Sequence, residues 1–464
     1  MLDHILAQAQ EDAPRALERL RRFIRQRSIS AENIGHAEMC ALLAAEVEAL
    51  GGTAEVVPGV DFPILYGRIN AGAPRTLLIH SMYDTTPAEE AGWLTDPFAA
   101  TVMELPGKGE CLVARGAEDT KGPVAAVFAM IEAHRRAEVE LPVNLILVFE
   151  ASELGSRSMA PFIESRREEL ADADLAYWPW HSERADGTGV VWLGCKGLMT
   201  FKLHVRGGEW GGPRGADLHG LHSGWVANPI HRLAAAIASF KDAGDLEIAI
   251  EGFYGEGDPV TAEDEAMIER LVQRLDPQAI LHDLDVARFK QRDFRAALHT
   301  HCFRSEFNVS GIQGGVVIEG GGTKVLLPRS ATASLDLRPL DGMTIPQVMG
   351  AIRDHLDRHG FPEVEIELLN GYVGGRMRPS NWAVQELLGA YRDIGTDPEV
   401  WPRTATAIGV SLFTRTLGIP WIGTCPGHSG GKHAANEFLQ VAGFHRAVGF
   451  MIRLLWRIAA ARDK

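Results

Sequence analysis

The sequence predicts an α/β fold in which a mainly parallel sheet carries helices on both faces and an α+β domain is inserted. Strand patterns and helix patterns alternate in the first half of the chain, at residues 76–81, 123–137, 143–149 and about 157–170. This alternation is the βαβ rhythm of an open parallel sheet. From about Gly197 the pattern becomes one of alternating strands mixed with helices, and from about Tyr372 the strand-helix alternation of the first half returns. This change of pattern predicts that the residues between these two points form an inserted domain.

Amphipathic helices are predicted near both ends of the chain. Residues 14–26 place apolar side chains on one helical face and four arginines on the other. Residues 36–50 repeat the pattern and stop at Gly51 and Gly52, which is a helix-ending signal. A further amphipathic helix is predicted at about 442–461. We expect these helices to pack on the sheet.

The insert contains a strand, a glycine-rich loop, a helix and later strands. In chain order we expect them at residues 200–205, at 207–224, from about Pro229, near 315–319 and at 331–338. Apolar and polar residues alternate in these strands, as in an antiparallel sheet with one solvated face.

Composition limits the class of protein. The chain has 464 residues, of which 46% are hydrophobic and 23% charged, so two or three soluble domains with a sizeable core are expected. The five cysteines are odd in number and scattered, which predicts neither a disulfide framework nor a zinc knuckle. A formal charge of -15 argues against a nucleic-acid partner, which would require a basic face.

The N-terminal residues carry acids where a signal peptide would carry lysine or arginine. No apolar run approaches the roughly 20 residues that a membrane span needs. We therefore expect a cytoplasmic enzyme without a membrane partner.

Acidic residues stand at the ends of the predicted parallel strands. Asp84 follows the strand at 76–81, Glu153 follows the continuous apolar run at 143–149, and Asp119 lies at a predicted strand-to-helix turn. His433 comes far downstream. Because ligands and ions bind at the carboxyl ends of strands in an α/β sheet, we expect these three acids and the histidine to converge on one edge.

Several motifs occur in an order and spacing that resemble one enzyme family. They are GWLTDPF at 92–98, RGAEDTKG at 115–122, DLH at 217–219, NP at 228–229, FNVSG at 307–311, DLRP at 336–339 and HAANE at 433–437. The chain resembles the co-catalytic metallopeptidases that include carboxypeptidase G, acetylornithine deacetylase, aminoacylase and the carnosine dipeptidases. The resemblance implies a catalytic domain from residues 1–198 and 371–464, a lid and dimerisation domain at 199–370, a homodimer and a small-molecule substrate.

The resemblance also implies a metal site. In the family, two ions share a bridging Asp, and one of them also takes the second Glu of a Glu-Glu pair and a late His. Asp119 matches the bridging Asp, Glu153 the second Glu and His433 the late His. The resemblance therefore implies one complete site per protomer for a divalent ion, Zn²⁺ or Mn²⁺.

The site of the second ion departs from the family pattern. Met82 stands where a ligating His is expected, and a thioether suits a hard oxygen-rich site poorly. The later Asp of that site has no match, and His181 or Glu183 is a candidate substitute ligand. His80 is either a displaced ligand or a packed core histidine. Whether a second ion binds is left open.

The general base of the family is also missing, because Ser152 stands in place of the first Glu of the pair. Glu150 points to the same face as Ser152 if the strand continues, and Glu118 adjoins the bridging Asp, so either could act as the base. Glu150 is alternatively a structural acid. Asp84 matches the Asp that supports a metal-bound imidazole in the family.

Further residues match substrate-binding positions of the family, namely Arg338, Arg403, Asn308, His219 and His222. The two arginines are expected to hold the substrate carboxylate or the reacting carbonyl, because a guanidinium fork suits both tasks. Asn308 and His219 belong to the implied lid. His219 or His222 is expected to reach the site of the partner subunit and stabilise an oxyanion.

The sequence thus predicts a metal-dependent hydrolase of a C–N bond, amide or amine, in a small carboxylate-bearing substrate. Trp93, Trp178 and Trp180 would favour an aromatic substrate if they line the pocket, or they belong to the core. One alternative is an inactive relative that acts as a binding protein. The other is a two-metal dipeptidase with displaced ligands.

Overall fold

The computed structural model describes residues 1–153, 155–242, 244, 247–253, 259–318 and 324–462. The chain divides into two compact units. The first comprises Met1–Gly194, Arg376–Pro402 and Leu412–Lys464, and the second comprises Cys195–Gly375 and Arg403–Ser411. The boundaries that the resemblance implies at residues 199 and 370, with the lid and dimerisation role of the part between them, stay predictions.

Helices and strands follow one another along the whole chain. Those before residue 193 are α1 (Leu2–Glu11), α2 (Ala13–Arg25), α3 (His36–Ala49), β1 (Thr53–Val57), β2 (Ile64–Ile69), β3 (Thr76–Met82), β4 (Thr101–Leu105), β5 (Gly109–Val113), α4 (Lys121–Arg136), β6 (Asn144–Glu150), α5 (Met159–Ser165), α6 (Arg167–Leu170), β7 (Leu175–Glu183) and β8 (Val190–Trp192). The next are β9 (Gly194–Lys196), β10 (Leu198–Arg206), β11 (Leu218–His219), α7 (Pro229–Ser239), α8 (Ala262–Arg274), α9 (Pro277–Asp283), α10 (Phe294–Phe303), β12 (Glu306–Gly314), β13 (Leu326–Leu327), β14 (Ser330–Arg338), α11 (Ile345–Arg358), β15 (Glu365–Tyr372) and β16 (Gly375–Arg376). The last are α12 (Trp382–Asp393), β17 (Glu399–Trp401), β18 (Thr404–Ala407), β19 (Trp421–Gly430), β20 (Phe438–Gln440) and α13 (Val441–Ala460).

The first unit is built on a nine-stranded sheet, as far as the described residues go, with the order β1-β2-β6-β3-β7-β19-β20-β5-β4. The central strands β6, β3, β7 and β19 are parallel. The strands on either side of them pair antiparallel. The carboxyl ends of the central strands therefore meet at one edge, where the predicted acids follow them.

Burial explains the centre of this sheet. Every residue of β3 is buried, and in β6 only the first residue is partly exposed. Strands covered on both faces need continuous apolar runs, and these two have them. Helix α4 packs on β3 and β7, and α13 packs on β19. The predicted α/β fold class is confirmed.

The second unit is built on the antiparallel sheet β12-β14-β10-β15. Helix α7 packs on β10 and β14, and α11 packs on β15. Strand β10 alternates buried and partly exposed residues, so its buried side chains, among them Phe201 and Leu203, form the core with the helices. This is the alternation that the sequence predicts for the insert.

The sequence-based boundaries differ from the structure in two places. The strand predicted near residues 315–319 is wrong for residues 315–318. Strand β12 ends at Gly314, and Gly315 turns the chain with φ +64°. Residue 319 lies outside the described residues. The helix predicted at 157–170 is two short helices, α5 and α6. None of the helices in the described part of the chain has both the length and the apolar character needed to cross a membrane.

Candidate metal centre

Asp119 lies in the loop between β5 and α4, at the strand-to-helix turn that the sequence predicts. Its side chain is almost fully buried. Oxygen Oδ2 is 3.1 Å from Nε2 of His433 and 2.9 Å from Nζ of Lys432. Oxygen Oδ1 is buried and has no hydrogen-bond partner among the described residues. One oxygen of this carboxylate is therefore held by an imidazole and an ammonium, and the other lacks a partner.

Glu153 follows the end of β6, and His433 lies in the loop between β19 and β20. Oxygen Oε2 of Glu153 is 3.3 Å from Nε2 of His433. Oxygen Oε1 is buried and unpartnered in the part of the chain that the structure describes. Asp119, Glu153 and His433 each present an atom within 4.8 Å of the others. Two of the acids and the histidine that the sequence predicts to converge thus lie together.

These three side chains fit one divalent ion. Two carboxylates and an imidazole are ligands that Zn²⁺ and related ions take in proteins. Two buried carboxylate oxygens without a partner are costly unless an ion or water meets them. Within the described ranges, no other group of three His, Cys, Asp or Glu side chains is gathered in this way.

The metal-free cluster holds protons at neutral pH. Hydrogen bonds to Asp119 and Glu153 raise the pKa of His433 to about 9. Burial and then the charge of Asp119 raise the pKa of Glu153 to about 8. Burial opposes the ionised form of Asp119, but the hydrogen bond from His433 and the charge of Lys432 outweigh it and keep the pKa of Asp119 below its ordinary value. A divalent ion must therefore displace protons from the cluster.

Asp84 holds the turn that carries Glu153. Its Oδ1 accepts a hydrogen bond from the amide of Ser152 at 3.0 Å, and its Oδ2 accepts one from the amide of Glu153 at 3.1 Å and one from the hydroxyl of Ser30. Burial raises the pKa of Asp84 to about 6. The resemblance implies that Asp84 supports a metal-bound imidazole, whereas the contacts described for its carboxylate go to this turn and to Ser30.

Glu437 holds the loop that carries Asp119. Its Oε1 accepts hydrogen bonds from the amides of Gly116, Glu118 and Asp119 at 3.0, 2.9 and 3.0 Å. Its Oε2 accepts one from Nη1 of Arg115 at 2.8 Å. The sequence motif HAANE includes this acid, but only the structure shows that it binds three amide donors of this loop.

Glu118 and Ser152 flank the metal-ligand cluster along the chain. Oxygen Oε2 of Glu118 is buried and has no partner within the described residues. Burial and the neighbouring charges of Glu437 and Asp119 raise the pKa of Glu118 to about 8. Ser152 offers a hydroxyl where a general base would need a carboxylate, and its amide is bound to Asp84. Of the candidate bases, Glu118 is the one with an unengaged oxygen beside Asp119.

Glu150 is committed to other contacts. Its Oε1 lies 2.9 Å from Nε2 of His80, and its Oε2 accepts a hydrogen bond from the hydroxyl of Ser156. Glu150 and His80 are both buried. These contacts engage both carboxylate oxygens of Glu150, which disfavours it as a base; they engage Nε2 of His80, whose Nδ1 is buried without a described partner, and they leave His80 outside the group of Asp119, Glu153 and His433. They favour the structural alternatives that the sequence left open.

The candidate substitute ligands lie outside the cluster. His181 in β7 is buried, and its Nδ1 is 3.0 Å from the carbonyl oxygen of Pro426. Glu183 binds the amide of Gly427 through Oε2 and Arg446 through Oε1. Nε2 of His181 is buried and has no partner among the described residues, but neither His181 nor Glu183 joins the group of Asp119, Glu153 and His433, so the metal ligand predicted at His181, with Glu183 as its alternative, stays a prediction outside that group.

Lys432 was missed by the sequence-based reasoning. Its ammonium lies 2.9 Å from Oδ2 of Asp119 and 4.2 Å from the centre of the Trp180 ring. Trp180 in turn packs edge to face with Trp178, with ring centres 5.8 Å apart. The only signal in the sequence was a lysine directly before the late His433.

The predicted substrate-binding residues belong to the second unit. Arg338 donates to the carbonyl of Ala405 at 2.7 Å, and Asn308 donates to Asp336 at 2.8 Å. The other three are Arg403, His219 and His222. In His219, Nδ1 accepts the amide of Leu221 at 3.2 Å, and in His222, Nδ1 accepts the indole N–H of Trp225 at 3.1 Å.

Arg403 is buried and paired. Its Nη2 donates to Oδ1 of Asp341 at 2.8 Å, and its Nη1 donates to the carbonyl of Cys302 at 3.1 Å. A guanidinium held in this way stabilises its own unit. The prediction that Arg403 binds substrate is disfavoured, whereas Arg338, which is partly exposed, keeps that role as a prediction.

Comparison with known proteins points to one enzyme family. The family model Peptidase_M20, described as peptidase family M20/M25/M40, matches residues 78–457. The Cys-Gly metallodipeptidase DUG1 of Candida albicans is 27% identical over 94% of this chain and 93% of its own. The Beta-Ala-His dipeptidase of Rattus norvegicus is 25% identical over 85% and 80%. The crystal structure of the M20 family metallo-carboxypeptidase Sso-CP2 from Sulfolobus solfataricus superposes with a TM-score of 0.86 at 28% identity, covering 96% of this chain and 99% of that one.

Proposed function

Because the chain belongs to peptidase family M20/M25/M40 and is a peptidase-like hydrolase, we propose that it hydrolyses a C–N bond, of an amide or an amine, in a small carboxylate-bearing substrate. We propose that Asp119, Glu153 and His433 hold one divalent ion, Zn²⁺ or Mn²⁺. The observation that carries this proposal is the pair of buried oxygens, Oδ1 of Asp119 and Oε1 of Glu153, which lack partners among the described residues, on two carboxylates whose other oxygens lie 3.1 and 3.3 Å from Nε2 of His433.

Each residue of the centre has a separate task in this proposal. A divalent ion bound there supplies Lewis acidity, which polarises a carbonyl and activates water. Glu437 fixes the loop of Asp119, and Asp84 fixes the turn of Glu153, so that the two carboxylates are held before the ion arrives. His433 gives up its proton to ligate.

Glu118 is the proposed general base. Its Oε2 is the carboxylate oxygen near the centre that is neither one of the proposed ligands nor engaged by a described partner. Glu118→Gln is expected to lower turnover by roughly 10²- to 10⁴-fold with the metal content unchanged. Glu89→Gln, at an exposed acid, is the control that leaves turnover at the wild-type value. Equal turnover in both variants would remove Glu118 from the role.

The proposed substrate is the size of a dipeptide, as the names of the relatives indicate for those proteins. Ser152 stands where the resemblance implies a Glu base, and the pKa of Glu118, raised to about 8 by burial, leaves that proposed base mostly protonated at neutral pH, so an unactivated amide is expected to react slowly. We therefore propose a bond to an electron-poor ring or an activated acyl group. Arg338 is proposed to hold the substrate carboxylate. Trp180 gives weak support for a ring, since its face already meets Lys432.

Two other functions remain as alternatives. A two-metal dipeptidase would need His80 and His181 as ligands, and neither joins the group formed by Asp119, Glu153 and His433. An inactive binding protein would have no reason to keep three matched ligands together with the acids that order their loops. A one-metal hydrolase accounts both for the grouping of the three ligands and for the acids that order their loops.

Metal analysis with activity assays tests the proposal. Protein purified without added metal should retain about one divalent ion per protomer, and His433→Ala should lose it, because one of three ligands is gone. His282→Ala, at an exposed histidine of α9, should keep it. Ordinary dipeptides and activated aromatic amides are then assayed in parallel. Metal retention without turnover of any amide or amine would favour the binding protein.

We also propose a homodimer through residues 199–370. In the second unit, Trp225, Val317 and Leu221 are 79%, 93% and 66% exposed. Strand β12 lies at the edge of its sheet, and exposed edge strands pair readily with another chain. Light scattering at micromolar concentration should give twice the mass of the chain. The mass of a single chain would contradict the proposal.

A further inference from the structure

Lys432 and His433 are consecutive residues that approach the same carboxylate oxygen. Nζ of Lys432 and Nε2 of His433 lie 2.9 and 3.1 Å from Oδ2 of Asp119. His433 adopts a left-handed backbone conformation with φ +57°, which is uncommon for a residue with a side chain. The loop is anchored further along by Asn436, whose side chain binds the backbone of Gly92 and Leu94. The loop is therefore shaped to present two cationic groups to Asp119.

The aromatic face of Trp180 provides a second support for the ammonium. Nζ of Lys432 lies 4.2 Å from the centre of that ring, which is cation–π distance. Asp119 and Trp180 thus hold Lys432 from two sides. A lysine that only extended into solvent would have neither contact.

Met82 of β3 and Trp180 of β7, at matching positions of these two strands, offer no replacement ligand to a metal ion there. Met82 and Trp180 each lie three residues beyond Ile79 and Tyr177, the last paired positions of these neighbouring strands. Met82 is next to the loop of Asp119, because the hydroxyl of Thr120 donates to its carbonyl at 2.7 Å. A thioether and an indole do not bind hard divalent ions. The positive charge that contacts Asp119 on the side of Trp180 is the ammonium group of Lys432.

We propose that Lys432 is a fixed second cation, which takes the place of a second metal ion at Asp119 and limits the centre to one divalent ion. The inference rests on the proposed metal site at Asp119, Glu153 and His433. Lys432 acts as a positioning residue: it neutralises and orients the bridging carboxylate from one side while the metal ion binds on the other. The ammonium also repels the metal ion, so the single ion binds less tightly than these ligands alone would allow.

The test is the number and the affinity of bound ions, measured by calorimetric titration of the metal-free protein with Zn²⁺ and Mn²⁺. Wild-type protein should bind one ion. Lys432→Met should still bind one ion, on the order of tenfold more tightly, because a nearby positive charge is removed. Lys432→Arg should match the wild type. The control is Lys108→Met, since Lys108 lies 4.4 Å from the centre of the Phe438 ring and away from the ligands, and it should match the wild type too.

A histidine introduced at position 82 tests directly whether Lys432 excludes a second metal ion. Met82→His should bind one ion as long as Lys432 is present, whereas Met82→His combined with Lys432→Met should bind a second, weaker ion. Two ions in the wild type, or an unchanged affinity in Lys432→Met, would overturn the inference, as would a second ion in Met82→His alone. If Lys432→Met does not fold, Lys432→Gln supplies the neutral side chain for the same comparison.

The failure of the underlying metal site would look different. If His433→Ala bound the first ion as tightly as the wild type, the proposed ligands would be wrong, and the inference would fall with them. If His433→Ala lost the ion while Lys432→Met matched the wild type, only the inference would be refuted.

Discussion

Asp84→Asn tests how the turn of Glu153 is held. The carboxylate of Asp84 accepts the amides of Ser152 and Glu153 at 3.0 and 3.1 Å and the hydroxyl of Ser30. Asparagine keeps one acceptor oxygen but replaces the other with an N–H₂ group. At least one of these donors then meets another donor in a fully buried position.

The expected losses of stability and of metal affinity follow from these contacts. A buried donor left without an acceptor costs about 1–3 kcal/mol. Burial raises the pKa of Asp84 to about 6, so the ionised carboxylate is itself destabilised there, and a neutral asparagine avoids that penalty. We therefore expect a loss of about 1–2 kcal/mol in the free energy of unfolding. Changes in residues that orient ligands typically lower metal affinity by about 10- to 100-fold, and we expect this range here because Glu153 moves with its amide.

The assay combines urea unfolding of the metal-free protein with metal titration of the folded protein. The control is Asp96→Asn, because Asp96 accepts the amide of Phe98 at 2.8 Å in a turn that carries no proposed ligand. It should leave the metal affinity unchanged. If folded Asp84→Asn binds metal as tightly as the wild type, Asp84 does not hold Glu153 in place, and our account of this turn is wrong.

Three further outcomes are expected. Metal affinity should rise from about pH 6 to about pH 10 and level off above that, because His433 and Glu153, with pKa values raised to about 9 and 8, must lose protons to ligate; a titration that is flat with pH would contradict this. Ser152→Glu should raise the hydrolysis of ordinary dipeptides by at least about 10²-fold, because it adds a carboxylate base at the position that the resemblance implies, in addition to the mostly protonated Glu118, and unchanged rates would show that the base is not limiting. Arg403→Leu should lower the free energy of unfolding by about 3 kcal/mol, since it removes the ion pair with Asp341 and the hydrogen bond to the carbonyl of Cys302 from a buried position; an increase in KM without loss of stability would instead support substrate binding.

The sequence by itself determined the fold class and the place where the site would be. Continuous apolar runs marked β3 and β6 to within one residue at each end, because strands buried on both faces admit few polar residues. Glu153 follows the end of β6, and Asp119 lies at a strand-to-helix turn, where ligands collect in an α/β sheet, so their convergence on one sheet edge could be predicted from chain order. The late His433 could be added only through the resemblance to a family.

Only the tertiary structure decided which side chains pair at that edge. Lys432 and Asp119 are more than 300 residues apart in the chain, and no local pattern encodes a 2.9 Å contact between them. The same holds for His80 and Glu150, and for Asp84, whose carboxylate binds the amides of a turn. The two-residue period of a strand determines the face of the sheet on which a side chain lies. Its contact partner depends on how elements that are distant in the chain pack together. The sequence therefore located the centre, and the packing assigned the task of each residue within it.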